Sequence, residues 1–188
     1  PILFIIGMAV MGSYPFTGNY LKSVSQLPVS TIGMLLTLFG VGAVIGGRLS
    51  QKVHSKLNQT HFILAGVIGA ICLAVVSISH HPILIGGLLM LFGVCFMLIQ
   101  PLLVARAQQA SPTRRGTVMS LASFHMAFGG GVGTIVFGLL FKTQGYTAVF
   151  ISGGILFCVA GVFAWLASPK ASELPSSTSI KTMELNKS

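Results

Sequence analysis

Few residues of this sequence have side chains and spacing suited to chemistry. His125 is the one ionisable residue that falls deep inside a long apolar segment, where it could carry a proton or contact a ligand. Gly42 to Gly47 has the G-x-x-x-x-G spacing of a phosphate-binding loop, but Arg48 and Leu49 follow where that loop needs Lys and then Ser or Thr. The sequence therefore does not predict a phosphate site.

Catalytic and metal-binding arrangements fit the sequence poorly. A serine nucleophile needs a histidine base within ~3 Å, yet Ser152 has glycine on one side only and falls at a different depth of its apolar segment than His125. His80 and His81 are adjacent and have no Cys, Asp or Glu near them in sequence, so they do not form a tetrahedral metal site. We predict that the protein is not an enzyme and uses no metal or other cofactor.

The composition predicts an all-α integral membrane protein. The chain is 53% hydrophobic and only 7% charged, and it carries 23 glycines, which is far from the composition of a soluble domain. Six apolar runs have the length of about 20 residues that crosses a bilayer. They cover about residues 2–21, 31–49, 62–79, 82–105, 117–141 and 146–167. Residues 1–167 are thus predicted to form a six-helix bundle, and residues 168–188 a disordered cytoplasmic tail.

The distribution of basic residues predicts how the bundle is oriented. Lys22 and Lys142 fall on one side of the predicted spans. All other Lys and Arg residues fall on the opposite side, namely Arg48, Lys52, Lys56, Arg106, Arg114, Arg115, Lys170, Lys181 and Lys187. Basic residues in short loops mark the cytoplasmic face. The N-terminal end, the tail and the two basic loops, which follow the second and fourth spans, are therefore predicted to be cytoplasmic. The net charge of +9 is then a topology signal, and the expected partner is the lipid bilayer and not a nucleic acid.

Two glycine-rich segments resemble each other. FGVGAVIGGRL at 39–49 and FGGGVGTIVFGLL at 128–140 lie in spans of opposite direction, which predicts a three-plus-three inverted repeat. Gly42 with Gly46, and Gly129 with Gly133, have the spacing that lets membrane helices pack closely. The fifth span also gathers a small-residue packing stripe along one side, formed by Thr117, Ser120, Ser123, Ala127, Gly131, Thr134 and Gly138.

Six spans, a basic loop after the second, RRGTVMSLASF at the start of the fifth and a glycine-rich fifth span resemble the C-terminal half of a major facilitator superfamily transporter, nearest to its bacterial drug-efflux branch. The family carries a G-x-L-x-D-R-x-G-R-[KR]-like motif after the second span of each half. The corresponding residues are Gly47, Arg48, Gln51, Lys52 and Lys56, with Arg114, Arg115 and Gly116 before the fifth span. Gln51 stands where the family has an acidic residue, and His54 where it has glycine. An electrostatic contact that holds this loop through the acidic residue would therefore be weakened.

The resemblance implies half of a twelve-helix carrier in a bacterial cell membrane. The opening PILFII, with no Met and no basic flank, leads us to expect a missing N-terminal half, or else a second copy of the chain, as partner. The expected function is secondary active transport, with proton-coupled efflux of drugs or other small lipophilic molecules by alternating access. Two alternatives stay open: a sugar or metabolite transporter of the same superfamily, and a non-transporting truncated half-carrier or membrane interaction partner.

The first span predicts part of a substrate cavity. Ser13, Thr17 and Tyr20 recur at helical spacing and share one face, which suits either substrate contact or hydrogen bonds to neighbouring helices. The full set of cavity candidates is Ser13, Tyr14, Thr17, Tyr20, Phe96 and His125. For Phe96 the alternatives are packing or lipid contact, and for His125 a neutral packing histidine.

Overall fold

The computed structural model describes residues 1–25, 27–57, 59–110 and 112–167. The α-helices among them are α1 (Ile2–Ser25), α2 (Val29–Leu57), α3 (Thr60–Ile78), α4 (Pro82–Ala110) and α5 (Arg115–Leu166), with a 3-10 turn at Pro112–Arg114. Five helices in this part of the chain are long and apolar enough to cross a membrane. The expectation of an all-helical membrane protein is confirmed, whereas the predicted tail at 168–188 lies outside the described residues.

A break at Gly145 divides α5 into a first arm, residues 115–144, and a second arm, residues 146–166. Gly145 has φ 77° and ψ −167°, which is not helical. A Cβ at Gly12 of α1 would lie 2.8 Å from Gly133 of the first arm, and one at Gly153 of the second arm would lie 3.4 Å from the neighbouring Ser13. Along a straight helix residues 133 and 153 would be about 30 Å apart. The two arms therefore fold back on each other.

Glycines bring α2 and α4 into backbone contact. A Cβ at Gly42 would overlap the carbonyl of Met90, and one at Gly46 would lie 2.8 Å from Cα of Val94. Residue numbers increase together along the two helices, from Gly42 and Met90 to Gly46 and Val94, so α2 and α4 run parallel. The predicted close packing through Gly42 and Gly46 is confirmed.

The first arm of α5 packs on α1 in the same way. A Cβ at Gly129 would overlap the carbonyl of Phe4, and one at Gly133 would lie 2.9 Å from Cα of Met8. The helices are again parallel, and the second predicted glycine pair is confirmed. The packing relies on the same physics as in α2 and α4, since only a residue without a side chain lets two backbones approach this closely.

The second arm of α5 runs antiparallel to α3. Gly161 meets Phe62 near the start of α3, and Gly154 meets Ala70 further along it. The ring of Phe157 is fully buried and fills the space at Gly69 between the two helices. Phe157 also meets Phe92 of α4, with ring centroids 5.1 Å apart, so it links α3, α4 and the second arm.

The predicted loop motif lies on the last turns of α2 and not in a loop. The apolar run ends near residue 49, but α2 continues to Leu57, and residues 58–59 alone separate it from α3. The segment 48–57 is polar yet contains neither Gly nor Pro, so nothing in it interrupts the helix. The assignment of the motif to a loop is corrected accordingly.

Candidate functional site

An apolar groove opens between the start of α1, the end of α4 and the start of the first arm. Its volume is about 350 Å³, within the range of small-molecule sites. It is lined by Pro1, Ile2, Leu3, Leu103, Ala107, Val118, Leu121, Ala122 and His125, and we term it the His125 groove. Histidine is the one polar side chain in this lining, so the groove suits a lipophilic molecule with a single polar contact.

The hydrogen bonding of His125 fixes which ring nitrogen can do chemistry. Its Nδ1 lies 2.8 Å from the carbonyl oxygen of Leu121, and a carbonyl can only accept, so Nδ1 carries the hydrogen. In the neutral imidazole Nε2 is then the nitrogen with a lone pair. Nε2 can therefore accept a hydrogen bond from a ligand or take up a proton.

A smaller cavity of about 40 Å³ continues from the groove into the bundle, since Leu3 and Ala122 line both. Gln100 of α4 and Ser123 of the first arm add polar groups to its wall, and the Gln100 amide donates to the sulfur of Met126 at 3.6 Å. A space of this size can hold a water molecule. The groove thus adjoins a small cavity with polar groups between α1, α4 and the first arm.

The predicted face of α1 is buried inside the bundle. Ser13, Thr17 and Tyr20 share one side of the helix as expected, and at most 5% of each is exposed. The Ser13 hydroxyl donates to the carbonyl of Ala9 at 2.6 Å, and the Tyr20 hydroxyl to that of Ser79 at 2.9 Å. Their place in a substrate cavity stays a prediction, and this packing favours the alternative of hydrogen bonds within and between helices.

Tyr14 and Phe96 belong to an aromatic contact between α1, α2 and α4. The Tyr14 hydroxyl donates to the carbonyl of Leu36 at 3.2 Å, and its ring centroid lies 5.1 Å from that of Phe39. Phe39 in turn stacks on the buried Phe96 with centroids 6.1 Å apart. Neither residue lines the His125 groove, so the six cavity candidates lie in three separate places.

The motif residues are exposed at one end of the bundle, where α2 and α4 end and the first arm begins. They are Gly47, Arg48, Gln51, Lys52, Lys56, Arg114, Arg115 and Gly116. Lys22 and Lys142 lie at the opposite end. Because both acidic residues of the sequence, Glu173 and Glu184, lie outside the described part, no carboxylate side chain of the bundle is there for the motif to pair with.

A second polar cluster lies at the same end, and the sequence patterns gave no prediction for its central residue, His61. Nδ1 of His61 lies 3.5 Å from Nδ1 of His54 on α2. The His61 ring packs on Phe62 with centroids 4.0 Å apart, and the guanidinium of Arg106 on α4 lies 5.1 Å from the Phe62 ring. Two histidines on either side of a two-residue connection are the sequence signal that could have indicated this cluster.

Comparisons with known proteins give one consistent result. The profile of the Major Facilitator Superfamily matches residues 2–184. An uncharacterized MFS-type transporter of Bacillus subtilis strain 168, YceJ, is 29% identical over 163 residues, covering 84% of this chain and 41% of the relative. A second from this strain, YfnC, is also 29% identical, over 84% of this chain and 38% of its own length.

A third, YwfA, is 25% identical over 79% of this chain and 36% of its own length. The chain thus spans about two fifths of the length of these curated relatives. No solved structure matches it. Family and relatives are transporters, which confirms the prediction that the chain is not an enzyme.

Proposed function

Because the chain belongs to the Major Facilitator Superfamily, we propose that it forms one six-span half of a secondary active transporter that exports small lipophilic molecules, drugs among them, in exchange for protons. The observation that carries the choice of substrate is the His125 groove, whose lining is apolar apart from one histidine. A sugar site needs many convergent polar groups. The groove therefore favours export of lipophilic molecules over the sugar alternative.

Six spans follow from the five helical elements if each arm of α5 crosses the membrane once. The packing supports an inverted repeat: α1 packs on both arms of α5, while α4 packs on α2 and α3. Exchanging α1 with α4, α2 with the first arm and α3 with the second arm reproduces this set of neighbours. Such a relation is typical of transporters built from inverted repeats.

The proposed orientation places the end that carries the motif in the cytoplasm. Arg48, Lys52 and Lys56 on α2, with Arg114 and Arg115 before the first arm, lie together at this end. Basic residues near the ends of membrane helices are retained on the cytoplasmic side. The His125 groove, which lies near the same end, would then open towards the cytoplasm.

Two exposed stripes of small residues support an opposing six-span half as partner. On α2 the stripe comprises Ser30, Gly33, Thr37, Gly40 and Gly47, and on the first arm Thr117, Ser120, Ser123, Ala127, Gly131 and Thr134. Small residues offer no particular advantage in contact with lipid, whereas they let the backbone of another helix approach closely. The relatives are long enough to supply this half in one polypeptide; a second copy of the chain is the alternative.

Replacing Gly40 by leucine tests the partner half. No atom of the chain lies within 4 Å of a Cβ at Gly40, so the bundle itself accommodates the side chain. If α2 packs on a partner there, Gly40→Leu should lower transport at least tenfold while the protein still inserts. Ala74→Leu, at an exposed site of α3, is the matched control. Equal transport by both variants, measured as dye efflux per inserted protein, contradicts the proposed interface.

Replacing His125 tests proton coupling at the groove. In the proposed cycle Nε2 takes up a proton in one conformation and releases it in the other, as the two halves rock against each other. His125→Ala and His125→Gln should each lower proton-driven efflux at least tenfold, which is about 1.4 kcal/mol. Transport that survives in His125→Gln with its pH dependence intact, but falls in His125→Ala, indicates a ligand contact and not proton coupling. Unchanged activity and pH profile in both variants contradict any functional role.

The substrate class is tested in vesicles of the intact carrier with lipophilic dyes, cationic and neutral, and with sugars. We expect dye efflux that a protonophore abolishes. Uptake or efflux of sugars alone would support the second candidate. If no compound moves although the protein is inserted, the chain is better explained as the non-transporting half-carrier.

A further inference from the structure

The pair formed by His54 and His61 joins the end of α2 to the start of α3. His54 is half-buried on the last turns of α2, whereas His61 lies in the first turn of α3 and is 1% exposed. Their Nδ1 atoms are 3.5 Å apart, and the rings meet edge to face with centroids 4.9 Å apart. Neither residue lines the His125 groove. The pair is thus a separate titratable site at the end of the bundle that carries the motif.

The facing nitrogens limit how many protons the contact can hold. A neutral imidazole has one N–H, so one Nδ1 donates across the 3.5 Å and the other accepts. A first added proton can bind Nε2 of the donating ring, which leaves a charged and stronger hydrogen bond. A second added proton must occupy the accepting Nδ1. Two N–H groups would then point at each other, and the contact would be lost.

The surroundings of the two rings differ in how well they accept a positive charge. His54 lies in the last turn of α2, where a positive charge is favoured. His61 is buried against Phe62, and the Arg106 guanidinium lies on that ring. Burial and a nearby cation both disfavour charge on His61. The surroundings thus oppose the charge on His61 that double protonation of the pair requires.

Within residues 1–167 the charged side chains of the helices beside the pair are all cationic. On α2 Lys52 and Lys56 are exposed and lie two residues from His54, so they point away from it, whereas Arg106 of α4 lies on the Phe62 ring beside His61. The second arm packs on α3 through Gly161 and contains no charged side chain. A doubly protonated pair would thus bring two positive charges together close to that of Arg106.

We propose that His54 and His61 form a proton-binding site that holds the end of α2 against the start of α3 while the pair carries at most one added proton. Acidification on this side of the membrane adds the second proton and releases the contact. The junction then opens locally, whatever the transported substrate is. The site makes the exposed basic end of α2 responsive to pH independently of His125.

Hydrogen exchange of the intact protein in lipid nanodiscs tests the site. Between about pH 7.5 and pH 5.5, where histidine changes its charge, backbone amides of residues 52–62 should exchange at least threefold faster at the acidic value after correction for intrinsic rates. His54→Gln should remove this acid response, because glutamine does not titrate. His80→Gln in the exposed turn between α3 and α4 is the matched control and should retain it.

His61→Gln should also remove the response, and its circular dichroism spectrum reports whether the buried substitution is tolerated. If it is not tolerated, His54→Gln at the half-buried position decides alone. Exchange that is independent of pH in the unmodified protein overturns the proposal. So does an acid response that persists in His54→Gln. Neither measurement depends on transport, so the result is separable from the proposed function.

Discussion

Gly42→Ala is expected to lower the free energy of unfolding of the bundle by roughly 1–3 kcal/mol. A Cβ at this position would overlap the backbone carbonyl of Met90, which cannot move aside as a flexible side chain can. The helices α2 and α4 would have to separate along their shared face, and Gly46, one turn further on, would lose its contact with Val94. Thermal unfolding in detergent micelles measures the effect.

Gly87→Ala provides the control for this substitution. Gly87 lies inside α4, it is exposed, and no atom lies within 4 Å of a Cβ there. Alanine has less backbone entropy to lose in a helix than glycine, so this variant should gain about 0.5–1 kcal/mol. Both variants replace glycine by alanine, but their effects on the free energy of unfolding should have opposite signs. A melting temperature that rises in both variants would show that α2 and α4 do not meet at Gly42.

Glycine spacing predicted the helix contacts of α2 correctly but was ambiguous in the first arm of α5. There Gly129 and Gly133 pack on α1, whereas the stripe that includes Gly131 and Thr134 is exposed. Both faces carry small residues, and periodicity alone does not say which neighbour each face meets. A helix that packs on its own bundle with one side and on a partner with the other has this double pattern.

Polarity predicted the right face of α1 but not its neighbours. Ser13 and Tyr20 lie together as expected, yet backbone carbonyls of α1 and of the end of α3 accept their hydrogen bonds. In a membrane every polar group needs a hydrogen-bond partner, and the backbone carbonyl one turn earlier in the same helix can accept from a hydroxyl as well as a ligand can. Sequence spacing therefore gives the direction of such a side chain and not the identity of its acceptor.

Hydropathy located the apolar spans but not the ends of the helices. The apolar run of α2 ends near residue 49 and the helix ends at Leu57, because hydropathy reports contact with lipid and not backbone hydrogen bonding. The contact of His54 with His61 depends on this extension. Hydropathy leaves residues 50–61 outside both predicted spans, so it does not predict this contact.

Gly145→Ala is expected to destabilise the fold by roughly 1–3 kcal/mol, because φ 77° with ψ −167° lies in a region that only glycine adopts readily. Gly138→Ala is the control, since Gly138 lies in the helical part of the first arm with open space at its Cβ. It should be neutral or stabilising in the same thermal unfolding measurement.

The effect of Gly145→Ala should extend beyond local strain. Phe141 and Tyr146 flank the break with ring centroids 4.5 Å apart, and Tyr146 lies 5.4 Å from Tyr20 of α1. A change of the turn would displace these rings and the second arm with them, so α1 and α3 would both lose packing. Equal melting temperatures for Gly145→Ala and Gly138→Ala would mean that the turn tolerates another conformation. The strain assigned to Gly145 would then be absent, whereas the reversal of the chain rests on the contacts of α1 with both arms.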